Sequence, residues 1–342
     1  MSTFAKRSFD AAAYAASRPS YPPALFKHIL AYLDNPPPSS AAAAVAPRTL
    51  LDCGCGPGLS TFDWTDHARF DRIVGIDPSS GMVKAANTIL QDRKLPAGVE
   101  IDFKVARADQ LKGVVEAESV DLAVAGQAAH WFNPEKTYSE LARVLKPGGA
   151  FAFWGYGEFY FPTRPDLSAL IPPYSAGTLG RYWEQPGRSI VESLLAPFPF
   201  PSSSPSSSQF DPSSFTRSFF LRKSPSNTEQ PSPLPFKLEG LDPHAREGSH
   251  NLRSDENGNG TPRTVHLSRS GSLLTRQWTL SQLIGYLRTW SAAHAYNEQN
   301  PAAVDCVDEF VTKLEKEGLR LTEEETIEVA WDVGIIMGRK KQ

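Results

Sequence analysis

Hydrophobic positions in the first half of the chain fall into short apolar runs separated by segments with helical spacing. The runs at 49–52, 73–77 and 120–125 are almost continuously apolar, as expected for strands that are buried on both faces of a parallel sheet. Between and after them, residues 79–90 and 134–145 have the pattern of amphipathic helices. Strands that alternate with helices in this way predict βαβ units and a doubly wound, mostly parallel α/β sheet.

The pattern changes in the second half of the chain. Residues 280–290 have helical spacing, and a further helix is predicted at 302–317. Apolar side chains then alternate strictly from Ile327 to Ile335. Strict alternation predicts a half-buried strand that lies at or near a sheet edge.

A segment of different composition interrupts this second half. Residues 201–262 are rich in Ser, Pro, Asn and Gly, with runs such as PSSSPSSS and DENGNG. Such runs bury too little apolar surface to offset the entropy lost on ordering, so we predict a largely disordered insertion. The aromatic run 215–221 is the exception, and we expect it to form a short strand or a lid element.

Composition narrows the possible functions. The chain has 35 Lys and Arg against 38 Asp and Glu, a formal charge of -3, whereas nucleic-acid-binding proteins usually carry a basic excess. A polynucleotide substrate is therefore disfavoured. The three cysteines are too few for a disulfide framework and have no further Cys or His at metal-ligand spacing, so no metal site is predicted.

Hydropathy predicts the location of the protein. No apolar stretch approaches the roughly 20 residues that a membrane span requires, and the first residues lack the apolar core of a signal peptide. We therefore expect a cytoplasmic protein without a membrane span. We also expect a monomer or a weak dimer.

The clearest chemical signal is a strand that runs directly into a glycine-rich turn, LLDCGCGPG at 50–58. Glycine permits positive φ angles and a close approach of the backbone to a ligand. Dinucleotide-binding folds space their glycines as G-x-G-x-x-G, but Leu59 stands where the third glycine of that pattern would be. A nicotinamide-dependent oxidoreductase is thus an alternative that the spacing disfavours.

The turn resembles the first motif of class I S-adenosylmethionine-dependent methyltransferases, acid-x-G-x-G-x-G, which Asp52, Gly54, Gly56 and Gly58 match. The runs YAASRPSYP, AGQAAHWF, RVLKPGGAFAFWGYG and YLRTWSA are similar to methyltransferases of type 11, and most of all to the small-molecule group that includes trans-aconitate methyltransferases. The resemblance extends over residues 8–157 and returns at 278–296. It implies a Rossmann-like, seven-stranded sheet, S-adenosylmethionine as cofactor and methyl transfer to a small molecule.

The apolar pattern, the composition and the resemblance together predict a division of the chain into five segments. A helical lid and linker would occupy residues 1–47, and the S-adenosylmethionine-binding core would occupy 48–157. A helical cap at 158–200, the Ser/Pro-rich insertion at 201–262, and cap helices with a closing sheet strand at 263–342 complete the division.

Cofactor contacts are implied in the loops that follow the strands. Asp77 would accept hydrogen bonds from the ribose hydroxyls, and Met82 would pack against the adenine. Asp109 would bind the adenine amino group, with Ala108 supplying a backbone contact. Gln127 opens the loop where the methionine end of the cofactor and the methyl acceptor would meet. Helix capping remains open for Asp77 and Asp109, and core packing remains open for Met82.

The amino-terminal segment would fold over the cofactor, by the same resemblance. Tyr14 and Arg18 lie in this segment and are predicted to contact the cofactor. Arg18 would pair with the cofactor's methionine carboxylate or with an acidic acceptor, and an exposed surface position is the alternative.

Several residues are candidates for the acceptor site. His130 would be the general base for an alcohol, phenol or amine, although a carboxylate acceptor needs no base and His130 then becomes a wall residue beside Trp131. Substrate binding is predicted for Trp131, Tyr286, Trp290 and Arg288. Core packing is the alternative for Trp290. A catalytically silent scaffold with a methyltransferase fold is the remaining alternative function.

Overall fold

The computed structural model describes residues 17–34, 48–67, 70–201, 207–223, 232–253 and 262–342. The strands are β1 Thr49–Cys53, β2 Arg72–Asp77, β3 Glu100–Val105, β4 Val120–Gly126, β5 Leu145–Tyr160, β6 Phe210–Phe220, β7 Gly248–Arg253, β8 Pro262–Ser268, β9 Leu274–Trp278 and β10 Ile327–Lys340. The α-helices are α1 Pro23–Asp34, α2 Leu59–His67, α3 Ser80–Asp92, α4 Pro134–Val144, α5 Pro165–Ser168, α6 Gly187–Glu192, α7 Leu280–Arg288, α8 Ser291–Gln299 and α9 Cys306–Lys316. None of these helices is both long and apolar enough to cross a membrane.

The strands form one sheet in the order β3-β2-β1-β4-β5-β10-β6-β8-β7, and β9 pairs with β10 outside this path. Strands β1 to β5 pair in parallel. β1 is hydrogen-bonded to both β2 and β4, so the strand order reverses at β1. Ligands of open α/β sheets bind at such a switch point, beyond the carboxyl ends of the strands.

Apolar strands at the centre of the sheet bury both faces, as the sequence predicts. One face carries a cluster around Trp64, Trp154 and Trp331, against which α1 packs. The other face carries Phe151 and Phe153, covered by α4. The Rossmann-like α/β class is therefore confirmed, with a ten-stranded sheet where the resemblance implied seven strands.

The prediction that the last strand is half-buried and near an edge is wrong. β10 lies inside the sheet, where it pairs antiparallel with β5 on one side and β6 on the other. Almost all of its side chains are buried. The strand is not at an edge because it pairs with β6, which comes from the segment that composition assigned to the insertion. Its second face is buried because a small residue there, Gly334, lies directly against Leu194.

The described parts of the insertion also differ from the prediction of a largely disordered segment. The aromatic run forms β6, which is longer than expected, and β8 pairs with it in parallel. Phe219 packs on Phe236, with ring centroids 4.1 Å apart, and a small apolar cluster surrounds them. A few aromatic side chains thus form a small core, although the average composition of the segment indicates disorder. Residues 202–206, 224–231 and 254–261 lie outside the described residues.

Candidate active site

The glycine turn after β1 brings the backbone close to the neighbouring loop. Gly54 has φ +75°, and a Cβ atom there would lie 2.6 Å from the Cβ of Ala128. Gly56 has φ +55°, but a Cβ atom there would meet nothing within 4 Å. Gly58, with φ +85°, packs on Phe103. Glycine is therefore required at position 54 because a side chain would collide with Ala128. At position 56 glycine is favoured only because of the positive φ angle.

Asp52 is a structural residue beneath this turn. The side chain is fully buried, and its Oδ2 accepts hydrogen bonds from the hydroxyls of Thr61 at 2.7 Å and Ser60 at 3.2 Å. Burial raises the pKa of Asp52 to about 6. Because Asp52 is enclosed and lines none of the cavities described below, the predicted direct contact with the cofactor is not what the geometry favours. Its carboxyl group ties the end of β1 to the start of α2.

Asp77, at the end of β2, holds two loops together. Its Oδ2 accepts a hydrogen bond from the backbone N–H of Gly56 at 3.0 Å, and its Oδ1 accepts one from the N–H of Ser79 at 2.8 Å. Burial raises the pKa of Asp77, while the two backbone donors act in the opposite direction. Each carboxylate oxygen can accept more than one hydrogen bond, so capacity remains for a hydroxyl donor.

A first cavity of about 290 Å³ opens over the carboxyl ends of β1 to β4. Six predicted cofactor-binding residues line it: Gly54, Asp77, Met82, Ala108, Asp109 and Gln127. Gly56 and Gly58 do not line it, and their positive φ angles shape the turn beside it.

Asp109 is held in place by its neighbour. Arg107 donates two hydrogen bonds to the carboxylate, at 2.9 and 3.1 Å. This pairing holds the pKa of Asp109 below its usual range. A fixed, ionised carboxylate at the rim of the cavity is suited to accept a hydrogen bond from an amino group.

Two further cavities adjoin the first, and Gln127 lines all three. The second cavity lies beside Tyr286 and Trp290, and the third lies beside Pro57 and Ser60. Gln127 is a non-glycine residue with φ +52°. Its Oε1 accepts from the backbone N–H of Tyr156 at 2.8 Å, and its Nε2 donates to the carbonyl of Tyr156 at 3.1 Å. Two hydrogen bonds to β5 therefore hold this side chain where the cavities meet.

Arg18 lies between the second and third cavities and lines both. Its Nη1 donates to the hydroxyl of Tyr156 at 3.0 Å, and its guanidinium carbon lies 5.5 Å from the centre of the Tyr286 ring. A cation is thus fixed beside the aromatic wall of the second cavity. Tyr14, predicted alongside Arg18, lies outside the described residues.

His130 lines the second cavity in a single 3₁₀ turn, Ala129–Trp131. Its Nδ1 is buried and has no hydrogen-bond partner among the described residues. Burial, with a smaller effect of the charge on Arg18, lowers the pKa of His130 to about 3. The imidazole is therefore neutral at physiological pH and a weak base, which disfavours the predicted role as general base.

The predicted aromatic residues do line the second cavity. Trp131, 40% exposed, faces both the first and the second cavity. Tyr286 and Trp290 are buried at the wall of the second cavity, and Trp331 Nε1 donates a hydrogen bond to the Tyr286 hydroxyl at 3.0 Å. These rings combine core packing with a surface that faces the cavity.

Arg288 is the predicted substrate residue that the structure does not bring to this site. Its side chain is half exposed and forms an ion pair with Asp308 at 2.7 Å on α9. Arg288 is the last residue of α7 and lies two residues after Tyr286, a rotation of about 200° around a helix with 3.6 residues per turn. The helical turn that places Tyr286 at the cavity therefore points Arg288 away from it.

Arg188 occupies the second cavity instead, and the sequence analysis missed it. It forms ion pairs with Glu158 at 2.9 Å and with Glu192 at 2.7 Å. Its guanidinium stacks over the Trp183 ring at 4.0 Å. The i,i+4 spacing of Arg188 and Glu192 in a segment with helical pattern was the only available signal, and such a pair usually marks a solvated helix face. Nowhere in the described ranges do three or more His, Cys, Asp or Glu residues come together as a possible metal site.

The fold is Rossmann-like, and part of it is similar to known methyltransferases. Residues 51–153 match the family model described as a methyltransferase domain. "Probable S-adenosylmethionine-dependent methyltransferase CRG1" of Saccharomyces cerevisiae is 30% identical over 191 residues, which cover 55% of this chain and 60% of the yeast protein. Malonyl-[acyl-carrier protein] O-methyltransferase of Brevibacillus brevis is 31% identical over 115 residues, 33% of this chain and 40% of that protein.

The fold likeness extends over nearly the whole chain. A solved structure from Anaeromyxobacter dehalogenans, described as a candidate type II methyltransferase, has a TM-score of 0.58 and 25% identity, and the match covers 94% of this chain and 97% of the other. The chain spans less than two thirds of the length of the curated relatives described above. The matches support a methyltransferase domain at residues 51–153 within a Rossmann-like fold.

Proposed function

We propose that this protein transfers a methyl group from S-adenosylmethionine to a small molecule and that the acceptor atom is a carboxylate oxygen. The observation that carries the proposal is the meeting of three cavities at Gln127. The first cavity suits the adenosine part of the cofactor, the third its methionine end, and the second the acceptor.

The residues of the first cavity fit the cofactor chemically. Asp77 offers carboxylate oxygens for vicinal hydroxyls, and the buried Met82 offers an apolar surface for a purine ring. Asp109 offers a fixed acceptor for an amino group. Gly54 allows the backbone to approach closely. No metal or covalent intermediate is needed.

S-adenosylmethionine, held by Asp77, Asp109 and Gln127, would supply an electrophilic methyl group to the acceptor oxygen, with S-adenosylhomocysteine as the leaving group. The residues of this chain contribute alignment of the acceptor and exclusion of water. Gln127 is held by its two hydrogen bonds to Tyr156. Trp131 and Tyr286 form walls of the acceptor cavity.

A carboxylate is favoured as acceptor because it needs no base. His130, with its pKa lowered to about 3, would help little to remove a proton from an alcohol or phenol. A carboxylic acid is already ionised at neutral pH. Arg18, which lines the acceptor cavity, supplies a positive charge and a planar fork that fits a carboxylate.

The cofactor assignment is tested by calorimetric titration of the protein with S-adenosylhomocysteine and, separately, with NADH. We expect heat of binding with S-adenosylhomocysteine only. Heat with NADH alone would instead assign the site to a nicotinamide-dependent oxidoreductase.

The acceptor is tested with labelled cofactor and a panel of di- and tricarboxylic acids, phenols, alcohols and amines. We expect methyl transfer to an acid. For that acid, Arg18→Met should raise KM about ten-fold or more, because an ion pair that fixes the acceptor is lost. Arg288→Met removes the same charge outside the cavity and is the matched control. Arg18 also lines the third cavity, which is proposed for the methionine end of the cofactor. The affinity for S-adenosylhomocysteine is therefore measured in parallel.

A best acceptor without charge, together with a KM that ignores Arg18→Met, would contradict the acidic-substrate proposal and leave the cofactor assignment intact. Placement in the trans-aconitate-like group, cytoplasmic location, the monomeric or weakly dimeric state and the remaining segment boundaries stay predictions.

A further inference from the structure

A fourth cavity of about 310 Å³ lies apart from the three described above and shares no lining residue with them. It is formed between β6, β8 and two connecting segments, 196–200 and 237–239. Its charged lining residues are Arg217, Lys237, Glu239 and Arg263. Neither the methyltransferase chemistry nor the cofactor uses this cavity.

Arg217, on β6, carries a charge that is buried without an ion pair among the described residues. The residue is 3% exposed. Its Nη1 donates to the carbonyl of Leu195 at 2.9 Å, and its Nη2 donates to that of Phe198 at 2.6 Å. Its Nε is buried and has no partner there. Carbonyl dipoles offset only part of the cost of burying a full charge, which normally requires a counter-ion.

Arg263, on β8, adds a second cation on the same face of the sheet. Arg217 is in register with Val265 on the parallel strand β8, two residues from Arg263, and residues i and i+2 of a strand share a face. Arg263 Nη2 donates to the backbone carbonyl of Glu239 at 2.8 Å, and its Nε is also buried without a partner among the described residues. Burial, and to a lesser degree repulsion from Arg263, lowers the pKa of Arg217 to about 10.

The charge balance of the lining is strongly positive. Arg217, Arg263 and the exposed Lys237 contribute three cations, and Glu239 is the single carboxylate in the described lining. A cavity of this volume is within the size range of small-molecule sites, about 300–1,000 Å³. Guanidinium groups are matched in geometry to phosphate and carboxylate groups.

We propose that the fourth cavity binds a small anion that carries at least two negative charges on phosphate or carboxylate groups. The competing interpretation is that Arg217 only ties the carbonyls of residues 195–198 to the sheet. That interpretation predicts no anion binding, whereas a binding site predicts affinity that follows the charges of the lining.

The test is calorimetric titration of the full-length protein with inorganic pyrophosphate and, separately, with citrate, which distinguishes a preference for phosphate from one for carboxylate. Arg263→Gln should weaken binding of the preferred anion about five-fold or more, because charge-assisted hydrogen bonds are lost at a half-buried position. Glu239→Gln should tighten binding, because it removes the opposing carboxylate and keeps the backbone carbonyl that Arg263 uses.

Lys223→Gln is the matched control, since it removes one exposed positive charge near the end of β6 and outside the cavity. Melting temperature and far-UV circular dichroism verify that each variant is folded. Absence of heat with both anions would overturn the proposal, and so would equal weakening in Lys223→Gln and Arg263→Gln. If Arg263→Gln does not fold, the titration of Glu239→Gln tests the proposal instead. An anion affinity equal to that of the wild type would then overturn the proposal.

Discussion

Asp77 is the residue for which the structure gives the sharpest test of the cofactor site. Its two carboxylate oxygens accept hydrogen bonds from the backbone N–H groups of Gly56 and Ser79, and the group lines the first cavity. Asp77→Ala removes these acceptors together with those predicted for the ribose hydroxyls. Asp77→Asn keeps one oxygen and the shape of the side chain but removes the charge.

The magnitude follows from the number of charged hydrogen bonds that are lost. One hydrogen bond to a charged group contributes about 1.5–3 kcal/mol, so losing the ribose contact should weaken affinity about ten-fold to a hundred-fold. We expect Asp77→Ala to weaken affinity by close to a hundred-fold, because the glycine turn also loses the hydrogen bond from Gly56. Asp77→Asn should weaken affinity by about ten-fold. The fold should survive, because relief from burying the charge offsets part of the lost hydrogen bonding.

The assay is calorimetric titration with S-adenosylhomocysteine, with circular dichroism to verify folding. Asp102→Asn is the matched control, because Asp102 is an exposed carboxylate on β3 that pairs with Arg72 at 3.4 Å and is outside the first cavity. A folded Asp77→Ala protein with the dissociation constant of the wild type would refute the ribose assignment.

Two further predictions concern His130 and the glycine turn. The unfolded chain takes up a proton on His130 near pH 6.5, whereas the folded state keeps the imidazole neutral down to about 3; wild-type stability relative to His130→Gln should therefore fall as pH drops below 6.5, by at most about 1.4 kcal/mol per pH unit. Urea unfolding at several pH values checks this, and parallel curves for the two proteins would contradict it. Gly54→Ala should lower the melting temperature more than Gly56→Ala, because only at Gly54 would a Cβ atom lie 2.6 Å from Ala128. Equal melting temperatures would show that φ alone governs both positions.

The part of the candidate site that follows the strands could be predicted from the sequence. Asp77, Met82 and Gln127 follow recognisable apolar runs, Ala108 and Asp109 follow the less apolar strand β3, and all five line the first cavity. This works because the carboxyl ends of parallel strands meet at one edge of the sheet. Their order along the chain is therefore enough to bring them together.

The acceptor side could not be predicted as well. Arg288 lies between Tyr286 and Trp290 in the sequence, but its position on the helix turns it towards Asp308. Arg188 reaches the cavity from a short helix, α6, whose sequence has the ordinary i,i+4 pair of a surface helix. Which side of a short cap helix faces the cavity depends on packing against the rest of the chain, and sequence periodicity does not contain that information.

The sequence by itself determined the parallel α/β half, because local periodicity, the glycine turn and the order of strands all act over short distances. Only the tertiary structure decided the position of β10 and the structure of the insertion. The alternating pattern of β10 predicts a strand at or near a sheet edge, yet β10 pairs with β5 along one edge and with β6 along the other. β6 arises from a segment whose average composition indicates disorder, and its aromatic residues become a core only when distant strands supply the other wall. Pairing between residues more than a hundred positions apart, such as Arg217 with Ile336, is the physical reason that local patterns were not sufficient.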